Sequence, residues 1–176
     1  MGHMLSKKFI KTQHVLLLGL DSSGKTTFLY RLYQGVVMDT LPTVGFNVVT
    51  IEMDKKTTLT VWDIGGQDKM QPNWKYHLEG CEALVFVVDA TDRARMDDAG
   101  KALKKVLKDP HMTDVPLLVL ANKSDRPDAM TVNEVSKELD MESYKDRIWE
   151  IQACSALKGL GVQQAFRSVT KLLQKN

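Results

Sequence analysis

A chain of 176 residues, 43% hydrophobic and 26% charged, has the make-up of one globular domain with room for a sizeable core. Its net charge of +2 argues neither for nor against nucleic acid; no dense basic block or aromatic-interleaved patch appears, and no nucleic-acid partner is expected. No apolar run approaches the roughly 20 residues that cross a bilayer. No secretory h-region is visible, and Cys81 and Cys154 fit neither a metal site nor a disulfide framework, so a reducing, cytoplasmic setting is expected.

In chain order, residues 1–13 read as a tail. Met1-Gly2-His3-Met4-Leu5-Ser6 fits the N-myristoylation pattern M-G-x-x-x-[ST], with Gly2 as acceptor. Leu5, Phe9 and Ile10 form the apolar side of a short helix on this reading, and Lys7, Lys8 and Lys11 turn towards anionic headgroups. Two readings compete with it, a cloning remnant before a native start at Met4 and an unstructured extension.

Residues 14–18 are an apolar run expected to be a buried strand. It leads into Gly19-Leu20-Asp21-Ser22-Ser23-Gly24-Lys25-Thr26, which fits G-x-x-x-x-G-K-[ST] at every fixed position. Such a loop curls so that its backbone N–H groups point into one anion nest. The helix behind it adds unpaired donors and its dipole. Lys25 then reaches the β/γ-phosphates and the Thr26 hydroxyl ligates Mg²⁺. Residues 26–34 carry helical spacing at Leu29, Leu32 and Tyr33 and stop at Gly35, so strand, loop and helix come in the required order.

Residues 36–44 show no clear period and contain Pro42. Residues 47–51 and 57–62 are extended runs joined by a polar turn at Asp54-Lys55-Lys56, which predicts an antiparallel hairpin. The loop Asp63-Ile64-Gly65-Gly66-Gln67 follows, then a short helix over residues 72–80. The second half alternates. A buried strand is predicted over residues 83–89, and an amphipathic helix over 94–108, apolar at Met96, Ala99, Leu103, Val106 and Leu107. Another strand is predicted over 115–121, then a helix opened by the capping box of Thr131 and Glu134, a strand over 147–153 and a helix over 162–173. This order predicts an α/β fold, a mostly parallel sheet with helices on both faces.

Two further motifs bear on chemistry. Asp63 ends a strand, where a carboxylate can hold Mg²⁺ through water, and Gly66, three residues on, can bring its N–H against a γ-phosphate. By itself this D-x-x-G spacing also reads as a simple glycine turn. Asn122-Lys123-Ser124-Asp125 follows the strand over 115–121. A carboxylate at Asp125 accepts two hydrogen bonds from guanine N1–H and N2–H₂, which adenine does not offer, while Lys123 lays its stem over the base and Asn122 ties loops together. The bland alternative is a polar turn. Cys154-Ser155-Ala156 then places small residues where backbone amides can meet guanine O6.

The set Gly19–Thr27, Leu41-Pro42-Thr43-Val44-Gly45-Phe46-Asn47, Trp62-Asp63-Ile64-Gly65-Gly66-Gln67 and Asn122-Lys123-Ser124-Asp125 resembles that of small GTPases, and within them the ADP-ribosylation-factor (Arf/Arf-like) family. The resemblance implies a P-loop NTPase fold of small-GTPase type with a six-stranded sheet, only the second strand antiparallel, and a GTP-binding domain over residues 14–176. It implies a switch that binds GTP/GDP with Mg²⁺, hydrolyses GTP slowly and recruits effectors in the GTP form, in membrane trafficking or membrane-associated signalling. The nucleotide set it implies is Gly19, Asp21, Ser22, Ser23, Gly24, Lys25, Thr26, Thr27, Thr43, Gly66, Asn122, Lys123, Asp125, Ser155 and Ala156. Thr26, Thr43 and, through water, Asp63 serve Mg²⁺, and Gln67 orients the attacking water. The hairpin is similar to the family's interswitch, which slides in register on nucleotide exchange.

Phe46 and Trp62 match an apolar effector surface, with core packing as the alternative role, and His77 stands where the family often has tyrosine. Gln71 stands where it often has arginine, Ser124 for a common glutamine and Ser23 for a common alanine, so partner choice is expected to be individual. Expected partners are an exchange factor, an activating protein, effectors and, through the N-terminus, an intracellular membrane held reversibly by an otherwise cytoplasmic monomer. A P-loop kinase, or a nucleotide-binding adaptor that rarely hydrolyses, are the competing classes. Asp125 opposes the first and Gln67 the second.

Overall fold

In the computed structural model, which describes residues 11–34 and 45–175, the strands β1 (Lys11–Leu18), β2 (Phe46–Glu52), β3 (Thr57–Ile64), β4 (Ala83–Asp89), β5 (Leu117–Asn122) and β6 (Trp149–Ala153) form one sheet. Their order is β2-β3-β1-β4-β5-β6. Only β2 runs antiparallel, paired with β3 from Phe46↔Ile64 to Glu52↔Thr58; the other neighbours are parallel. The helices are α1 (Lys25–Gln34), α2 (Met96–Leu107), α3 (Val132–Glu138) and α4 (Val162–Gln174).

The near-continuous apolar runs of β4 and β5 exist because both faces of the sheet are covered. Successive side chains point to opposite faces. Leu84, Phe86, Val88, Leu117 and Val119 enter one core with Met96 and Leu103 of α2 and Val135 of α3. Ala83, Val85, Val87, Leu118 and Leu120 enter the other, with Phe28 and Leu29 of α1 and Phe166 and Val169 of α4. The order of connection reverses at β1, which lies between β3 and β4. The crevice beyond the carboxyl ends of the parallel strands at such a reversal is where α/β sheets bind ligands.

Several boundaries differ from the sequence reading. β1 begins at Lys11, not residue 14, because Lys11, Thr12 and Gln13 pair with Thr57, Thr58 and Leu59. Their polar side chains hide a backbone ladder that apolar spacing cannot detect. Lys11 is therefore a strand residue rather than part of the tail. Residues 71–77 form a 3-10 helix with Pro72 in its first turn, and a second 3-10 turn, Arg93–Arg95, precedes α2. β6 starts at Trp149, and the Arg147 guanidinium before it donates to the carbonyls of Leu107, Met112 and Val115. The capping box at Thr131 is present with both reciprocal bonds. Gly2, the rest of residues 1–10, residues 35–44 with Gly35 and Thr43, and Asn176 lie outside the described residues.

Candidate nucleotide-binding site

The loop after β1 turns through two left-handed residues, Ser22 (φ 62°) and Gly24 (φ 90°), before α1 begins at Lys25. A side chain at Gly24 is excluded twice over, by that φ and by the Asn122 amide, which a Cβ would meet at 2.3 Å. The loop is thereby pressed onto the segment that follows β5. Its other wall is Gly66. The Asp21 N–H donates to the Gly66 carbonyl at 3.0 Å, and a Cβ on Gly66 would lie 2.2 Å from the Gly19 carbonyl oxygen. Gly66 thus touches the glycine loop by backbone. Gln67 is half-buried beside it, and its carbonyl accepts from Met70 and Gln71 as the chain turns into the 3-10 helix.

β3 delivers Asp63, which is fully buried. Its Oδ2 accepts from the Thr26 hydroxyl at 2.6 Å and from the Asn47 amide at 3.3 Å. Its Oδ1 accepts no hydrogen bond, and the Lys25 ammonium lies 3.1 Å away. Three expected residues, Lys25, Thr26 and Asp63, therefore meet at one point from two elements. The donor set fits magnesium. A hydroxyl and a carboxylate are hard oxygen ligands, and so few protein donors leave positions for water and phosphate, which Mg²⁺ retains. Among the described residues no cluster of three His, Cys, Asp or Glu side chains offers a competing all-protein metal site.

The loops that follow β5 and β6 converge on the glycine loop. Asn122 is buried; its amide donates to the Ser23 carbonyl at 2.9 Å, and its Oδ1 accepts from the Ala156 N–H at 3.0 Å. Lys123, in a left-handed conformation (φ 64°), donates to the Ser22 carbonyl at 2.8 Å and to Asp89 Oδ2 at 2.7 Å. Asp125 is exposed, and its Oδ1 accepts from the Ser155 hydroxyl at 2.8 Å. The Ala156 N–H, read from the sequence as able to meet guanine O6, donates to Asn122 Oδ1 in this structure.

Three contributors escaped the sequence reading. Asp89 ends β4; burial disfavours its charge, but hydrogen bonds from Lys123 and Thr91 outweigh that and hold its carboxyl below the ordinary value. Arg95 pairs with the Asp21 carboxylate and donates to the Asp21 carbonyl at 3.1 Å, and the pairing raises its own pKa further. Arg31 of α1 donates to the carbonyls of Ala156 and Leu157. None carries a motif, and a D-R-A-R string after a strand gives no sign of which loop it serves. Burial pushes the thiols of Cys81 and Cys154 up to about 12, so both are inert at neutral pH.

Outside the nucleotide crevice, Phe46, Trp62 and His77 form one aromatic cluster. Phe46 lies 5.6 Å from both Trp62 and His77, and Trp62 lies 6.2 Å from His77, ring centre to ring centre. Trp62 is half-buried and also packs on the core, so it serves both surface and interior, while Phe46 is 53% exposed. His77 completes the cluster; the neighbouring Tyr76 points to solvent under Lys75. No described helix is long and apolar enough to cross a membrane.

The profile of the ADP-ribosylation factor family matches residues 1–173. The chain is 44% identical to ADP-ribosylation factor J of Dictyostelium discoideum over 163 residues, 93% of this chain and 86% of that protein. Its fold is similar to that of the Arl6 BBS3 small GTPase from Trypanosoma brucei with the bound nucleotide analogue GppNp, at a TM-score of 0.85 and 31% identity, over 94% of this chain and 99% of that one. A matched profile over nearly the whole length, a curated relative and a solved relative point the same way. This chain belongs to the ADP-ribosylation factor family of small GTPases.

Proposed function

We propose that the protein is a guanine-nucleotide switch that binds GTP and GDP with Mg²⁺, hydrolyses GTP slowly, and presents an effector surface in the GTP form. The observation that carries this reading is the meeting, at the carboxyl ends of β1, β3 and β5, of Lys25, Thr26 and Asp63 with Asn122, Lys123 and Asp125. The nest around Gly24 and the start of α1 hold the phosphates. Thr26, with Asp63 through water and Thr43 of the sequence motif, would hold Mg²⁺, which when bound neutralises charge on the phosphate oxygens. Asp125 accepts from guanine N1–H and N2–H₂, and Lys123 covers the base. Gly66 offers its N–H to the terminal phosphate, and Gln67 orients the attacking water. No arginine is present at residues 36–47 or 64–72, so an activating protein is expected to supply the missing charge stabilisation.

Phe46, Trp62 and His77 form the effector surface of this reading, read by proteins that act in membrane trafficking or membrane-associated signalling. Gly2 is its acylation site, and the tail attaches an otherwise cytoplasmic monomer to an intracellular membrane reversibly. An exchange factor completes the cycle; nucleic acid has no part in it. The test is competition on the full-length protein with Mg²⁺ present. GDP and GTP are expected to displace a fluorescent guanine nucleotide while ATP does not, and Asp125→Asn is expected to shift preference towards xanthine nucleotides. Equal competition by ATP and GTP would overturn the assignment.

A further inference from the structure

Residues 155–160 form a closed loop. Ser155 and Leu160 exchange backbone hydrogen bonds at 2.9 and 3.0 Å, and the Lys158 N–H caps the Ser155 hydroxyl at 3.1 Å. One side of this loop is held from β5, through Asn122 on the Ala156 N–H and the Ser124 N–H on the Cys154 carbonyl. The other side is held from a different element. The Arg31 Nε donates to the Ala156 carbonyl at 3.1 Å and a terminal nitrogen donates to the Leu157 carbonyl. The guanidinium also packs against Gly159, where a Cβ would come within 3.3 Å of Nε and 3.4 Å of Cζ. Two carbonyls in a fork and a bare Cα beneath it suit a planar guanidinium and not an ammonium.

The same helix begins at Lys25 and Thr26, six residues and about 9 Å earlier. α1 therefore carries phosphate-binding groups at its start and a fork onto the base-reading loop nearly two turns later. The loop in turn sets the reader. Ser155 donates to Asp125 Oδ1 and so holds one of the two carboxylate oxygens.

We propose that Arg31 is a positioning residue for guanine specificity, clamping residues 155–159 to α1 so that Ser155 holds Asp125 in the orientation that accepts two hydrogen bonds from the base. This rests on the guanine reading above and adds a residue to it. A carboxylate held in plane meets N1–H and N2–H₂ together; one that has lost its support still accepts a single bond, which tolerates misalignment. Guanine recognition should depend on Arg31, and recognition of hypoxanthine, which lacks the 2-amino group, should depend on it far less.

The experiment measures affinities of full-length wild-type, Arg31→Met and Arg31→Lys protein for GDP and inosine diphosphate, by displacement of a fluorescent guanine nucleotide with Mg²⁺ present. In Arg31→Met, GDP affinity is expected to fall about tenfold and inosine diphosphate affinity about twofold or less, so their ratio drops about fivefold. Arg31→Lys, with the charge but not the fork, should fall between Met and wild type. A ratio unchanged in both variants, whether the two affinities fall together or neither moves, would overturn the clamp and leave Arg31 a structural residue. A wild-type protein that fails to prefer GDP over ADP would instead overturn the guanine reading itself.

Discussion

Replacing Asn122 with alanine removes the side chain that joins the glycine loop to the loop after β6. Two buried groups lose their partners, the Ser23 carbonyl and the Ala156 N–H, held at 2.9 and 3.0 Å. The weaker contact from Cys154 at 3.5 Å adds little. An orphaned buried backbone group costs about 1–3 kcal/mol, so the pair is expected to cost about 2–4 kcal/mol after partial relaxation towards water. For a chain of this length that lowers Tm by roughly 5–15 °C. The assay is thermal unfolding of GDP-loaded protein at two fixed GDP concentrations, together with the release rate of a fluorescent GDP. The two concentrations separate intrinsic destabilisation from lost ligand binding, since the ligand contribution grows as RT ln(1 + [L]/Kd). Release is expected to accelerate at least about tenfold, because the two loops that enclose the nucleotide in the proposed reading lose their tie. A variant with wild-type Tm at both concentrations and wild-type release would refute the idea that Asn122 joins the two halves of the site.

Four other outcomes are expected. Gln67→Leu should keep GTP affinity while losing hydrolysis stimulated by an activating protein, measured as phosphate release; wild-type stimulated turnover would remove Gln67 from the proposed role. Arg95→Ala should speed GDP release only about three- to tenfold, because the Arg95–Asp21 pair is partly exposed and screened; release rates at low and high salt check it. Burial lowers His77 below its ordinary 6.5, so on acidification the unfolded chain takes up that proton before the folded one. Stability should be insensitive to this group above about pH 6.5 and fall below it, and urea midpoints of His77→Phe should show a flatter acid limb. Acylated full-length protein loaded with a GTP analogue should sediment with anionic liposomes more than the GDP form, and Gly2→Ala should abolish the difference; equal sedimentation of the two nucleotide forms would leave the tail without a switching role.

What the sequence by itself determined is what depends on near neighbours. The phosphate nest needs two glycines, a lysine and a hydroxyl at fixed short spacing, so Gly19–Thr26 was legible before any fold was known. The buried strands β4 and β5 announced themselves as apolar runs because helices cover both faces, and the capping box of α3 lies within four residues. β1 was legible only in its apolar half, since the ladder at Lys11, Thr12 and Gln13 is made by backbone groups that every residue possesses. The family resemblance grouped His77 with Phe46 and Trp62, and the structure brings the three rings together, while Tyr76 lies exposed.

Only the tertiary structure decided how the site is held together. Asn122 reaches Ser23 across 99 residues, Arg95 reaches Asp21 across 74, and Arg31 reaches Ala156 across 125. No spacing or periodicity encodes such pairs. They arise because parallel strands β1, β4, β5 and β6 end on one edge of the sheet, where loops far apart in the chain must share a small volume. There, each buried carbonyl and N–H needs a partner, and long side chains from α1 and from the turn before α2 are the ones within reach.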